Sequence, residues 1–200
     1  MLTRKLVLAF GYHDEYPEIE GHRQCWADTI IPCPFCDGFE NRDRKWGVVP
    51  GNEIELQMFP KIALNWASSV EVFVPPELTL SSELRKVFEA LGIAVHHGAI
   101  AEIHHQAGKL QAVTLDSGDR REVATLWWVP ERRRSPLLEA LRTSLDLQVM
   151  DDGTVQTDET FATNVPGVWA VGDLKGWVGG LNAAAAGNVA ATAIVRRWFG

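Results

Sequence analysis

Cysteine is scarce in this chain: three in 200 residues, at positions 25, 33 and 36. Three cannot build a disulfide framework, and in a reducing compartment two that lie close together point to catalysis, redox sensing or metal binding. Long apolar runs are missing as well. Met1 to Lys5 is basic, but only Leu6 to Phe10 follows before Gly11, too short for the core of a signal peptide. No uninterrupted apolar stretch approaches the ~20 residues that span a bilayer, and Asn182, Gly187 and Asn188 break even the alanine-rich tail. The expected location is the cytoplasm, without membrane contact. Basic residues are the minority, 19 Lys and Arg against 26 Asp and Glu for a net charge of −7, which leaves no general surface for nucleic acid. The cluster Glu131-Arg132-Arg133-Arg134 is too short to reverse that and reads as a solvated turn. With 17 glycines and 10 prolines the chain is not disordered, and 46% hydrophobic residues fill one good core or two small ones.

What is present is a dithiol. In Cys33-Pro34-Phe35-Cys36-Asp37-Gly38 two cysteines two residues apart can close a small disulfide ring. Such spacing commonly lowers one thiol's pKa, giving a thiolate that attacks another disulfide or a cofactor. Asp37 stands where it can give or take the proton. His22 and Cys25 lie ahead of the pair, so that His22, Cys25, Cys33 and Cys36 offer an alternative, a tetrahedral zinc site. The spacing is loose for it, Cys25 reads equally as a small buried hydrophobe, and no metal is expected. His96-His97 and His104-His105 alternate faces on strands and cannot aim both rings of a pair at one ligand.

The apolar pattern alternates between strands and helices. Lys45 to Pro50 reads as a strand, Glu53 to Ala67 carries Ile54, Met58, Ile62 and Trp66 at helical spacing, and Val70 to Val74 is a second strand, together a β-α-β unit. Ser81 to Leu91 is a serine-capped helix stopped by Gly92, and Ile93 to His97 a parallel strand. From Ile100 to Trp128 short strands separated by Gly108 and Asp116-Ser117-Gly118 describe a β-meander. Pro136 to Leu145 reads as a helix, Gly153 to Thr157 and Val168 to Val171 as strands, and Ala183 to Trp198 as a closing helix. The fold class is α/β. The eight tryptophans are expected in core packing.

Two blocks together resemble the low-molecular-weight thioredoxin reductases and their FAD-dependent pyridine nucleotide-disulfide oxidoreductase relatives. One is the Cys33-to-Gly38 motif. The other is Thr163-Asn164-Val165-Pro166-Gly167-Val168-Trp169-Ala170-Val171-Gly172-Asp173, followed by small residues from Gly179 to Ala191 that open a helix. The resemblance implies a Rossmann-like nicotinamide domain with a β-meander over residues 21–123, carrying the dithiol. It assigns 1–20 to the last strand and linker of a truncated FAD domain, and 124–200 to that domain's C-terminal part. By the same resemblance Cys36 is the thiol nearer the flavin, Cys33 meets the external disulfide and Asp37 is the general acid. Gly172 and Asp173 serve the ribityl chain, and Gly180, Leu181 and Asn182, at the head of the closing helix, serve the flavin ring.

Departures from the family pattern shape what is expected. The family's opening G-x-G-x-x-G turn, which sets the flavin pyrophosphate on a helix N-terminus, and the acidic residue for the ribose are absent. The nicotinamide turn reads Gly47-Val48-Val49-Pro50-Gly51-Asn52-Glu53, with Gly51 alone at the bend as the candidate pyrophosphate contact. Pro50 removes an N–H donor, and Glu53 and Glu55 in the first helical turn repel a pyrophosphate. After Val72-Phe73-Val74 comes Pro75-Pro76-Glu77, without the arginine that would hold a 2′-phosphate, so NADPH binding is expected to be weak and NADH is not signalled either. Two functions follow. The first is a flavin-dependent dithiol/disulfide oxidoreductase that acts on a protein or small-molecule disulfide once a separate FAD-binding segment or chain completes it. The alternative is a non-catalytic or flavin-independent remnant that binds partners, dimerizes or senses redox state. Unpaired sheet edges and the family resemblance both suggest a homodimer.

Overall fold

The computed structural model describes residues 3–176 and 179–199, so Met1 and Leu2, at the head of the 1–20 segment, lie outside the description. The elements in chain order begin with strands β1 (Leu6–Leu8) and β2 (Tyr12–Glu15), the short helix α1 (His22–Cys25), β3 (Ile30–Ile31), the one-turn helix α2 (Pro34–Asp37), β4 (Lys45–Val49), α3 (Glu53–Ala63), β5 (Ser69–Val74) and α4 (Ser82–Ala90). They continue with β6 (Ala94–His97), β7 (Ile100–Gln106), β8 (Lys109–Leu115), β9 (Arg120–Glu122), β10 (Thr125–Trp128), β11 (Glu131–Arg134), α5 (Pro136–Leu145), β12 (Val168–Ala170) and α6 (Gly180–Phe199). Two compact units result, one of residues 16–131 and one of 1–15 with 132–200.

In the 16–131 unit a five-stranded sheet of order β3-β10-β4-β5-β6 is parallel throughout. Parallel strands are apolar on both sides because both faces must be covered. One face packs Leu56, Ala63 and Phe88 of α3 and α4 against Trp46, Val48, Val70 and Val72. The other packs Phe73 and Leu126 against Ile100, Ile103, Leu110 and Val113 of the antiparallel sheet β7-β8-β9. Gly47 sits in mid-strand because a Cβ there would meet Leu126 at 2.5 Å and Phe73 at 2.6 Å. Its role is close packing within the sheet, not the turn that follows.

The sequence places Glu122 to Trp128 in the meander, but only β9 pairs with β8; β10 pairs in parallel with β3 and β4. Thr125, Leu126 and Trp127 are all buried, as an inner parallel strand requires. Helix α3 stops at Ala63 rather than Ala67. Pro60 removes one donor from its last turn, and Asn65 and Trp66 close a looser turn onto Ile62 and Ala63.

In the other unit β1 pairs in parallel with β12, Leu6 with Val168 and Leu8 with Ala170, over a core of Leu8, Leu138, Leu147 and Val155. Trp169 and Val171 pack on Ala186 and Ala190 of α6. Residues 153–157 form no strand. Val155 makes a single bridge to Val149, and Asp152 ties Thr154 into a turn through backbone and hydroxyl contacts of 2.9 and 2.7 Å. The arginine cluster is β11 rather than a solvated turn. It pairs with β2, setting Arg132 by Asp14 at 3.7 Å and Arg133 by Glu15 at 2.7 Å. Opposite charge on adjacent strands pins a short ribbon that has little apolar burial of its own.

Candidate active site

Strand β3 delivers the chain into the dithiol. The Trp127 indole donates to the Pro32 carbonyl at 3.2 Å, fixing the residue before Cys33. Cys33 is the extended N-cap of α2 and Pro34 its first helical residue, a position that needs no N–H. One helical turn then brings Cys36 over Cys33. Both thiols are free, and the Cys36 thiol donates to the Cys33 sulfur at 3.2 Å. This hydrogen bond, with slight burial and the neighbouring Cys33 and Asp37 charges, raises the Cys36 pKa. Cys36 therefore keeps its proton to higher pH than a free thiol, with the Cys33 sulfur as its acceptor. Burial, and then the charge of Glu40, push Asp37 above the ordinary carboxylate range, so it carries a proton to higher pH than a free aspartate.

Two residues that the motif alone does not explain hold this turn. Gly38 donates to the Pro34 carbonyl at 2.8 Å, and a Cβ there would press on that carbonyl and on the Trp66 indole nitrogen at 2.9 Å. Asn41, buried, is a hub. Its amide donates to the carbonyls of Asp28 (3.0 Å) and Asp37 (3.1 Å), and its side-chain oxygen accepts from Arg44 (2.9 Å) and Thr125 (3.0 Å). Its own carbonyl takes the Trp46 indole N–H at 2.9 Å. A single polar residue between charged neighbours carries no periodic signal, so sequence reasoning missed it. Phe35 and Phe39 are exposed beside the thiols, Phe35 edge-on to Trp66 and Phe39 beneath the Arg42 guanidinium at 3.9 Å.

The zinc arrangement does not form. The His22 ring is buried, stacked on Trp26 at 5.6 Å and edge-on to Trp128 at 5.3 Å, and burial followed by the Arg23 charge lowers its pKa to about 4. No group of three or more His, Cys, Asp or Glu side chains among the described residues is placed to hold a metal ion. Gly51, at the turn from β4 to α3, gives its N–H to the Glu55 carboxylate at 2.8 Å.

In the unit of 1–15 and 132–200, Gly172, Asp173 and Gly180 line one cavity of about 420 Å³ with Gly11, Tyr12 and Arg132. Gly172 (φ +64°) and Gly179 (φ +75°) have backbones that favour glycine, and a Cβ at Gly179 or Gly180 would touch nothing within 4 Å, so both open into space. Leu181 and Asn182, in the first turn of α6, are exposed and do not line the cavity. Arg132 was not expected there. Its signal in the sequence is the alternation of Asp14-Glu15 with Arg132-Arg133, legible only once the two strands are known to pair.

No helix among the described residues is long and apolar enough to cross a membrane. Residues 71–190 match the family model described as pyridine nucleotide-disulphide oxidoreductase. Among curated proteins the chain is 31% identical to thioredoxin reductase aclD of Aspergillus oryzae and 30% identical to thioredoxin reductase sirT of Leptosphaeria maculans. The matches cover 85% and 86% of this chain and 56% of each relative, so the chain spans little more than half their length. Among solved structures it superposes on HlmI with a TM-score of 0.84 at 29% identity, covering 98% of this chain and 61% of that one. It superposes on the putative thioredoxin reductase TrxB of Bacillus anthracis with a TM-score of 0.83 at 26% identity, covering 95% and 63%. Family model, relatives and fold agree: the chain belongs to the pyridine nucleotide-disulphide oxidoreductase family, on its thioredoxin reductase-like branch.

Proposed function

We propose that the protein is a flavin-dependent dithiol/disulfide oxidoreductase in which Cys33 and Cys36 exchange with a protein or small-molecule disulfide. The observation that carries this is the 3.2 Å contact in which Cys36 donates to Cys33. The Cys33 thiolate attacks one sulfur of the substrate disulfide, the S–S bond breaks, and the departing thiolate takes a proton from Asp37. Cys36 then gives up its proton and attacks the Cys33 sulfur, releasing the second substrate thiol and leaving Cys33 and Cys36 as a disulfide. Two electrons have passed to the substrate, and the same steps reversed oxidise a dithiol.

The residues lining the 420 Å³ cavity fit one end of a flavin. Gly179 and Gly180 leave room where any side chain would intrude, and Asp173 offers a carboxylate to ribityl hydroxyls. A separate FAD-binding segment would hold the rest. When bound, FAD supplies a two-electron donor or acceptor for the dithiol. The working form is a homodimer in the cytoplasm, where a reducing compartment favours a dithiol used in catalysis over a structural disulfide.

The test is reversible closure of the pair. Mild oxidation should remove two hydrogens from the intact mass and, when the chain is then alkylated in denaturant, block Cys33 and Cys36 but not the otherwise buried Cys25; dithiothreitol should restore both, and Cys33→Ser and Cys36→Ser should each abolish closure. An absorbance spectrum before and after adding FAD tests the flavin part. Failure of the pair to close under any glutathione ratio rejects the reading.

A further inference from the structure

Membership of the family implies a nicotinamide dinucleotide whose pyrophosphate rests at the β4–α3 turn, and the residues there do not fit it. We propose that Glu55 is an in-cis occupant of that turn and closes it to NADH and NADPH. This goes beyond the thiol chemistry and is tested separately from it.

A dinucleotide turn works because unspent backbone N–H groups meet the pyrophosphate oxygens. Here Glu55 takes two donors of the turn, one from the backbone and one from a side chain. The Gly51 N–H donates to one Glu55 carboxylate oxygen at 2.8 Å, and the Asn52 side-chain amide donates to the other at 2.9 Å. Asn52 in turn accepts from the Glu55 N–H at 3.0 Å, so cap and third helical residue satisfy each other reciprocally. Pro50 has no N–H to offer.

The open side of Gly51, where a ligand would approach most closely, faces the same carboxylate, since a Cβ built there would lie 3.4 Å from Glu55 Oε2. A pyrophosphate entering would have to break two charge-assisted hydrogen bonds and displace one negative charge, with Glu53 adding another in the same turn. At the end of β5 the chain runs through Pro75, Pro76 and Glu77, placing an acid where a 2′-phosphate would need a base.

The test is a titration of the full 200-residue chain with NADPH and with NADH, read by quenching of tryptophan fluorescence and energy transfer to the nicotinamide. It is repeated on Glu55→Ala and on Glu55→Asp, which keeps an acid in the first helical turn and so protects the fold while falling short of the Gly51 N–H. Circular dichroism confirms folding. The expected result is no saturation of the wild-type chain up to about 1 mM, the upper end of ordinary affinities. Saturation below that concentration should appear in a folded Glu55 variant. Wild-type saturation below about 1 mM, or no gain in any folded variant, overturns the assignment. The readout does not involve the thiols, so a failed thiol assay leaves it standing, and its own failure leaves the thiol reading intact.

Discussion

Replacing His22 with phenylalanine should remove a specific part of this protein's acid sensitivity. His22 is buried, in ring contact with Tyr16, Trp26 and Trp128, and its Nδ1 has no hydrogen-bond partner. Its pKa falls from the ordinary 6.5 to about 4, through burial first and the Arg23 charge second. Between those values the unfolded chain binds a proton that the folded one refuses, so stability falls as pH drops through the window and is regained as pH rises. At about 1.4 kcal/mol per pH unit the full loss is about 3 kcal/mol, of which about 2 kcal/mol falls between pH 7 and pH 5. Urea unfolding at both pH values, for wild type and His22→Phe, reads the difference. His96, whose pKa burial also lowers, titrates in both proteins and cancels. The variant should hold wild-type stability at pH 7, since a planar ring is kept and an unpartnered nitrogen removed, and should lose about 2 kcal/mol less than wild type on going to pH 5. Equal losses in the two proteins would refute the argument that His22 is held neutral by its aromatic surroundings.

Other perturbations read the dithiol turn. Asn41→Ala strands the buried Thr125 hydroxyl and the carbonyls of Asp28 and Asp37, and should cost about 3 kcal/mol in chemical denaturation; a cost below about 1 kcal/mol would remove Asn41 from its role as anchor. Gly38→Ala forces a Cβ against the Pro34 carbonyl and the Trp66 indole, and should slow exchange of the pair with a small disulfide while far-ultraviolet circular dichroism stays native. Asp37→Asn should slow that exchange by about a hundredfold or more and change its pH profile. It should also raise the unfolding midpoint at neutral pH, because burial disfavours the ionised carboxylate and that penalty grows as pH rises toward the folded pKa. An unchanged rate and profile would show that the proton travels by another route.

The placement of the two thiols was more legible in the sequence than the scaffold that holds them, and the reason is distance along the chain. Cys33, Cys36 and Asp37 span five residues, and a single helical turn is enough to bring the two sulfurs together, so local spacing forecasts the contact that forms. The β-α-β alternation was legible for a similar reason, since strands buried on both faces announce themselves as continuous apolar runs. The anchors are different. Trp127 reaches Pro32, Thr125 reaches Asn41, and Arg132 reaches Asp14, each across most of a domain or more of chain. No local period encodes these partners, which is why β10 reads as another meander strand, Asn41 goes unnoticed and the arginines read as a solvated turn. Glu55 lies between the two cases. Its acidity beside a would-be phosphate site is plain in the sequence and reads there as repulsion from a distance. Only the geometry, with both carboxylate oxygens engaged by donors of the turn itself, turns repulsion into occupation. Repulsion alone would weaken with salt as it is screened. Occupation instead depends on the carboxylate's reach, so shortening the side chain by Glu55→Asp should admit nucleotide with the charge unchanged. The outcome of that one substitution separates the two accounts.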